Sequence, residues 1–230
     1  MSHEELHSGT SSSFISDIVI GMSDGLTVPF ALAAGVSSAV HDTHIVTTAG
    51  IAELVAGAIS MGLGGYLAGK TELEHYASEK KNEYLEVATI PEKEKQEVCD
   101  IFAGFGLSPE VQELATNEII QDKDKWVDFM MQYELGLSEP DPKRASKSAA
   151  NIGLSYVAGG IVPLLPYFFV NTPMKGLKIS AIIALCCLFI FGWCKSKATG
   201  QPLFSGAIRV TIIGAIAATA AFLVAKMFGA

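Results

Sequence analysis

HIVTTAGIAELVAGAISMGLGGYLAGKTELEHYASEKKNEYLEVATI, residues 44–90, carries two characters in one run. Up to Gly69 it is apolar, with Glu53 as its only carboxylate; from Lys70 on it is charged, with Glu72, Glu74, Glu79, Glu83 and Glu86 set among lysines. No proline or glycine interrupts residues 70–90. The pattern predicts a single helix over about 43–88, roughly 69 Å long at 1.5 Å per residue. A helix needs about 20 apolar residues to cross the hydrocarbon core, so more than half of this one stands in water.

Outward from that run, four more stretches are long and apolar enough to span, at 14–40, 148–170, 177–194 and 206–228. Half of the 230 residues are hydrophobic and the mean hydropathy is +0.37, rarely the composition of a soluble domain. The fold class predicted is all-α: a five-span transmembrane helical bundle with a helical module inserted between spans 2 and 3. The domains divide at 1–13, a disordered tail; 14–69, the first two spans; 70–147, the acidic module; and 148–230, the last three spans. The tail lacks the positive n-region of a signal peptide and the arginines of a transit peptide.

Residues 70–148 hold 18 of the 24 acidic and 10 of the 16 basic residues, a net of −8, and the remainder is neutral. That balance excludes a nucleic-acid partner, which needs a basic patch. It suits either a cation or plain solubility. With five spans, 70–148 and 195–209 share one face of the membrane. The second of these segments adds Lys195, Lys197 and Arg209, against Lys175, Lys178 and Lys226 opposite. The positive-inside rule then puts the module in the cytosol, within an integral, multi-pass protein surrounded by membrane lipid. A vacuolar-type membrane and a bacterial plasma membrane both accommodate it.

Inside the module, Pro91 predicts the start of a second helix, Ser108-Pro109 the cap and first position of a third, and 123–135 a fourth. SEPDPK, 138–143, reads as the return linker. The Val-Pro pairs of TVPFAL (27–32) and IVPLLP (161–166) echo one another, but two short matches do not define a repeat. The four cysteines form no CxxC, and no Cys₄ or Cys₂His₂ pattern points to structural zinc, so they read as reduced packing residues.

The polar residues inside the spans carry the chemistry. A carboxylate in lipid is costly, so it faces a pore or a partner. Asp17 lies near the start of its span and fits the headgroup level. Asp24 is deeper, in GMSDGLTVPFALAAG. There Gly25 and Pro29 weaken the helix, and Pro29 cannot donate to the Gly25 carbonyl, leaving an acceptor beside the carboxylate. Glu53 and Met61 are eight apart and share a face with Gly57 between them. A thioether beside a carboxylate favours iron-like metals over Mg²⁺ or Ca²⁺, although Met in a span is commonly packing. Gly57, Gly62, Gly64 and Gly65 suit close helix approach.

In the module, Glu72, Glu79, Glu83 and Glu86 fall within roughly 60° of one another on a helical wheel. Glu79 and Glu83 are a like-charge i,i+4 pair, which a bound cation would relieve. Glu94 and Glu97 adjoin the apolar face of Val98, Ile101, Phe102 and Phe105. Trp126, Phe129, Met130 and Tyr133 repeat at core spacing, and Met130 and Met131 lie within a turn of Glu134.

With these residues in view, the chain resembles the vacuolar iron transporter family. The resemblance rests on SDGLTVPFALAAG (23–35), AELVAGAISMGLGGYLAGKTELEHY (52–76) and the acidic module, and covers nearly everything after the tail. It implies a homodimer of five-span protomers that exchanges cytosolic Fe²⁺, and often Mn²⁺, for protons, with Asp24 of both copies meeting on the path. Residue by residue it implies Asp24, Glu53 and Met61 in the path. It implies Glu83, Glu86, Glu94, Glu97, Met130, Met131 and Glu134 as metal ligands of the cytosolic module, with Glu79, Gly25 and Pro29 as lesser candidates. Family members can carry Met one turn before Met61 where this chain has Gly57, which lowers the soft-ligand count and leaves the Fe²⁺/Mn²⁺ preference open.

The function expected is secondary transport of Fe²⁺, with Mn²⁺, out of the cytosol by proton antiport, with no prosthetic group and the metal as transported ion. Two other readings are a membrane-anchored di-iron carboxylate enzyme and a metal sensor or store. The enzyme needs two Glu-x-x-His elements, and Glu72 with His75 supplies one. A mere anchor for a sensor needs no Asp24.

Overall fold

The computed structural model describes residues 9–228. The helices are α1 (Gly9–Ala39), α2 (Thr43–Thr89), α3 (Pro91–Gly104), α4 (Pro109–Ile119), α5 (Lys123–Tyr133), α6 (Arg144–Leu164), α7 (Pro173–Ala198) and α8 (Leu203–Phe228). A 3₁₀ turn, Leu165–Phe168, follows α6, and no strand occurs among the described residues. The tail expected over 1–13 lies outside the described residues as far as residue 8, and residues 9–13 open α1.

Five helical segments are long and apolar enough to cross a membrane: Ser13–Ala39, Thr43–Thr89, Arg144–Phe168, Pro173–Ala198 and Leu203–Phe228. Their outward faces are oily. Leu154 is 71% and Ile182 67% exposed, far more apolar surface than water tolerates in a contiguous belt. The chain is an integral membrane protein. Four of the helices begin several residues before the expected spans, at 9, 144, 173 and 203, and α2 and α7 also run past their expected ends.

Two compact units arise, one from the described residues up to Leu67 together with those from Ala145 onward, the other from Ala68–Arg144. In the first, α1, α7 and α8 pack together around Phe30, Ala34, Ala184 and Ala218. A second cluster, Ala33, Val46, Leu164 and Tyr167, joins α1 and α2 to the end of α6, where Ser37 Oγ donates to Tyr167 Oη at 3.0 Å. Pro166 has no N–H to return to the preceding turn. The Pro163 carbonyl there accepts instead from Ser180 Oγ on α7, at 2.6 Å.

α1 passes through Pro29 without a break in its helical assignment. Its contact with α6 depends on glycine. A Cβ at Gly25 would overlap the Tyr156 backbone, and one at Gly159 would come within 2.9 Å of the Leu26 nitrogen and 3.0 Å of the Met22 carbonyl. Lipid gives no hydrophobic drive for helices to associate, so such close approach supplies the packing.

In the second unit the expected starts at Pro91 and Pro109 hold, and α2 ends one residue beyond the predicted 88. Ser108 has the extended backbone of a cap, but its side chain makes no capping bond. Asp122 is the residue that caps with its side chain, accepting from the Asp124 and Lys125 nitrogens at 3.0 and 3.3 Å. The core is Val87, Val98, Trp126, Val127, Met130 and Met131. Tyr133, expected in the core, is 48% exposed, while Val127 and Met131 take buried places. Lys80 Nζ meets Asp128 at 2.7 Å and Tyr84 Oη donates to Asp124 at 2.6 Å, tying α2 to α5.

Gly159→Val should therefore wedge α1 from α6 at a cost of about 1–3 kcal/mol. Its apparent melting temperature in detergent, followed by tryptophan fluorescence, should fall; an unchanged melt would mean that the two backbones do not touch.

Candidate metal centre

Three helices of the second unit bring carboxylates to one point. Glu83 comes from α2, Glu94 from α3 and Glu134 from the end of α5, and one oxygen of each lies within 4.8 Å of the others. Glu83 is 4% and Glu94 0% exposed, whereas Glu134 reaches solvent. Both Glu94 oxygens and Glu83 Oε2 are buried without a hydrogen-bond partner among the described residues. Oxygens removed from water at this closeness require protons or a cation.

Burial, then the charges of Glu134, Glu94, Glu86 and Glu97, push Glu83 up to about 7. Burial, then Glu97, Glu86 and Glu134, push Glu94 up to about 7, against the pull of Lys93. Glu134 is raised by burial and by Glu97 and Glu86. Glu86 is exposed, and Glu97 pairs with Lys93 at 2.8 Å, so both act on the triad through their charge. Glu79 faces His75 at 3.7 Å. Met130 and Met131 are 0% and 1% exposed within the apolar core.

In the membrane unit, Glu53 Oε1 accepts a hydrogen bond from Tyr156 Oη of α6, and Glu53 Oε2 is buried without a partner. Gly57, one turn on, leaves the space the phenol occupies: a Cβ there would overlap the Tyr156 hydroxyl. Met61 is half-buried a further turn along. Asp24 is half-buried, and no hydrogen bond or ion pair among the described residues engages it. Gly25 and Pro29 beside it are both buried; Gly25 packs on the Tyr156 backbone, and a Cβ at Gly160 would lie 2.9 Å from Pro29 Cγ.

Asp17 is packed against the protein rather than open to its surroundings: it is 2% exposed, accepting from Ser148 Oγ at 3.0 Å and Asn151 Nδ2 at 3.3 Å. Two donors on α6 let the carboxylate sit inside the bundle. Tyr156 was missed in the sequence. The available signal was a lone phenol among small residues, at the four-residue spacing of Ser148, Ile152, Tyr156 and Gly160.

Five membrane-capable helices with carboxylates held among them are the build of an integral membrane transporter. The model of the VIT family matches residues 15–226, and the chain belongs to that family. It is 50% identical over 225 residues to vacuolar iron transporter 1 of Arabidopsis thaliana, covering 98% of this chain and 90% of the relative. Vacuolar iron transporter 2 of Oryza sativa subsp. japonica is 48% identical over 224 residues, covering 97% and 91%. Protein CCC1 of Saccharomyces cerevisiae is 41% identical over 226 residues, covering 94% and 69%. The chain is thus a transporter and not an enzyme.

The raised carboxylates carry a sign. A Glu at 4.5 when unfolded and about 7 when folded favours folding in its protonated form. That contribution is complete below 4.5 and is lost as pH rises through 7. In a Trp193→Phe background, Trp126 reports the second unit alone, since the chain has two tryptophans. Its metal-free melting temperature should fall between pH 5 and 8. Mn²⁺ should restore it at pH 8 with little effect at pH 5; a flat or rising metal-free profile would contradict the buried triad.

Proposed function

We propose that the protein moves Fe²⁺, and Mn²⁺ with it, out of the cytosol in exchange for protons. The observation that carries this reading is the convergence of Glu83, Glu94 and Glu134, with buried oxygens of Glu83 and Glu94 that nothing among the described residues satisfies. The names of the relatives, vacuolar iron transporters at up to 50% identity, point to the same cargo. The second unit is the cytosolic collector. Glu86 and Glu97 add negative potential around the triad, and Met130 or Met131 offers a thioether once a rotamer change brings sulfur to the site. Carboxylate with thioether favours Fe²⁺ over Ca²⁺ or Mg²⁺.

Asp24, Glu53 and Met61 form the membrane path. Tyr156 holds one oxygen of Glu53 and leaves the other for a cation or a proton, so the two compete for one atom. That competition is the chemical basis of antiport. Metal binds the ionised carboxylate, and a proton from the opposite face displaces it. Asp24 supports a homodimer. Its carboxylate lies on a helix whose neighbouring Ile20 and Val28 are each 42% exposed, and a charge left toward lipid would be costly. A second copy of α1 set against the first supplies the two carboxylates a metal needs.

Uptake of Fe²⁺, Mn²⁺, Zn²⁺ and Co²⁺ into proteoliposomes under an imposed pH gradient tests the reading. Fe²⁺ and Mn²⁺ should enter, and collapse of the gradient should stop them. Asp24→Ala should abolish flux with the protein still monodisperse; near-normal flux would remove Asp24 from the path. Tyr156→Phe keeps the ring and removes the donor to Glu53, a bond to a charged group of about 1.5–3 kcal/mol. Maximal flux should drop about tenfold or more on that scale, with the pH of half-maximal flux displaced. Unaltered flux and pH profile would reduce the tyrosine to packing.

A further inference from the structure

The end of the bundle where α7 turns into α8 encloses a cavity of about 120 Å³. Its lining includes Lys195, Ser196, Thr199, Gln201, Ser205 and Arg209, with no acidic side chain. None is available nearby in sequence, since the chain has no Asp or Glu after Asp141. Neither Lys195 nor Arg209 has an ion-pair partner among the described residues.

The dipole of α7 accounts for Lys195, which lies in that helix's last turn beside its negative end. It does not account for Arg209, in the second turn of α8, near the positive end of a 26-residue helix. Arg209 is exposed beside the positive end of α8 with no acidic partner among the described residues, so the cavity wall on that side favours an anion. Ser196 points to the same ligand independently. It is 4% exposed, its hydroxyl makes no hydrogen bond among the described residues, and it sits against Gly206, where a Cβ would overlap its Oγ. The residue lines the cavity, so its hydroxyl is a free donor to whatever enters.

We propose that this cavity binds the phosphate of an anionic lipid headgroup. The space of about 120 Å³ accommodates a phosphate group. The cavity lies between the adjoining ends of two membrane-capable helices, Pro173–Ala198 and Leu203–Phe228, where a spanning helix pair meets the headgroups. Phe204, 63% exposed, and Ile208, 38% exposed, offer an apolar surface for the acyl chains beside it. Basic pockets between transmembrane helices recognise anionic lipids in this way.

The test uses full-length protein in detergent and its thermal unfolding, with no transport readout, so its outcome is independent of the proposed cargo. Dioctanoyl phosphatidylinositol 4-phosphate should raise the melting temperature saturably, and dioctanoyl phosphatidylcholine should not. Lys195→Gln and Arg209→Gln should each shift the half-saturating concentration about tenfold or more upward. Lys197→Gln, outside the cavity, should leave it unchanged. Native mass spectrometry should find the anionic lipid retained by the parent and lost from both cavity variants. An equal response to phosphatidylcholine, an unshifted response in both cavity variants, or saturation by inorganic phosphate at the same concentration would overturn the assignment.

Discussion

A carboxylate taken out of water needs a donor, a proton or a cation, and this chain distributes the three unevenly. Asp17 receives donors from Ser148 and Asn151. Glu53 receives one, from Tyr156, and keeps a second oxygen dry and unmet. Glu94 receives none at either oxygen. Desolvation without compensation is the expensive arrangement, and it recurs where the metal chemistry is proposed. Other freed or exposed backbone groups find partners: the proline-freed carbonyl at residue 163 has Ser180, and α5 has its Asp122 cap. Among the described residues Thr116 Oγ1 and Trp126 Nε1 are also buried and unmet, but only the glutamate oxygens carry charge there, which is why the proposed ligand is a cation.

Holding them open takes rigid neighbours. α6 lies close enough to α1 and α2 that glycine is required on both sides of the contact: Gly25 and Gly159 toward α1, Gly57 toward α2. At Gly57 the missing side chain becomes positive content, because the Tyr156 hydroxyl fills the space and reaches Glu53. A methionine at that position would bring a thioether and expel the phenol. Glycine at 57 thus trades a thioether for a hydrogen bond that orients Glu53.

Much of the architecture was legible. Hydropathy located the five spans, the unbroken run from 70 to 90 foretold the length of α2, and the prolines at 91 and 109 fixed two helix starts. Helical spacing selected Trp126 and Met130 for the core but not Val127 and Met131, because a wheel records periodicity and not the width of the face that neighbours cover. Which glutamates of the acidic stripes would converge was not legible. Glu83, Glu94 and Glu134 share no helix, and only the packing of α2, α3 and α5 distinguishes them from Glu79 and Glu86. The burial of Asp17 was not legible for the same reason: its donors lie 131 and 134 residues away.

The titration of the triad bears on how such a site lets go. Carboxylates at their ordinary value of 4.5 would be fully ionised in any cytosol and would hold a divalent cation without regard to pH. Burial and mutual repulsion bring Glu83 and Glu94 to about 7 instead. Near that value a modest fall in pH protonates the ligands, and metal binding must displace those protons. A divalent cation at the proposed site would cancel the repulsion that crowds the metal-free carboxylates. Capture at neutral pH and discharge on protonation would then follow from a single arrangement of charge.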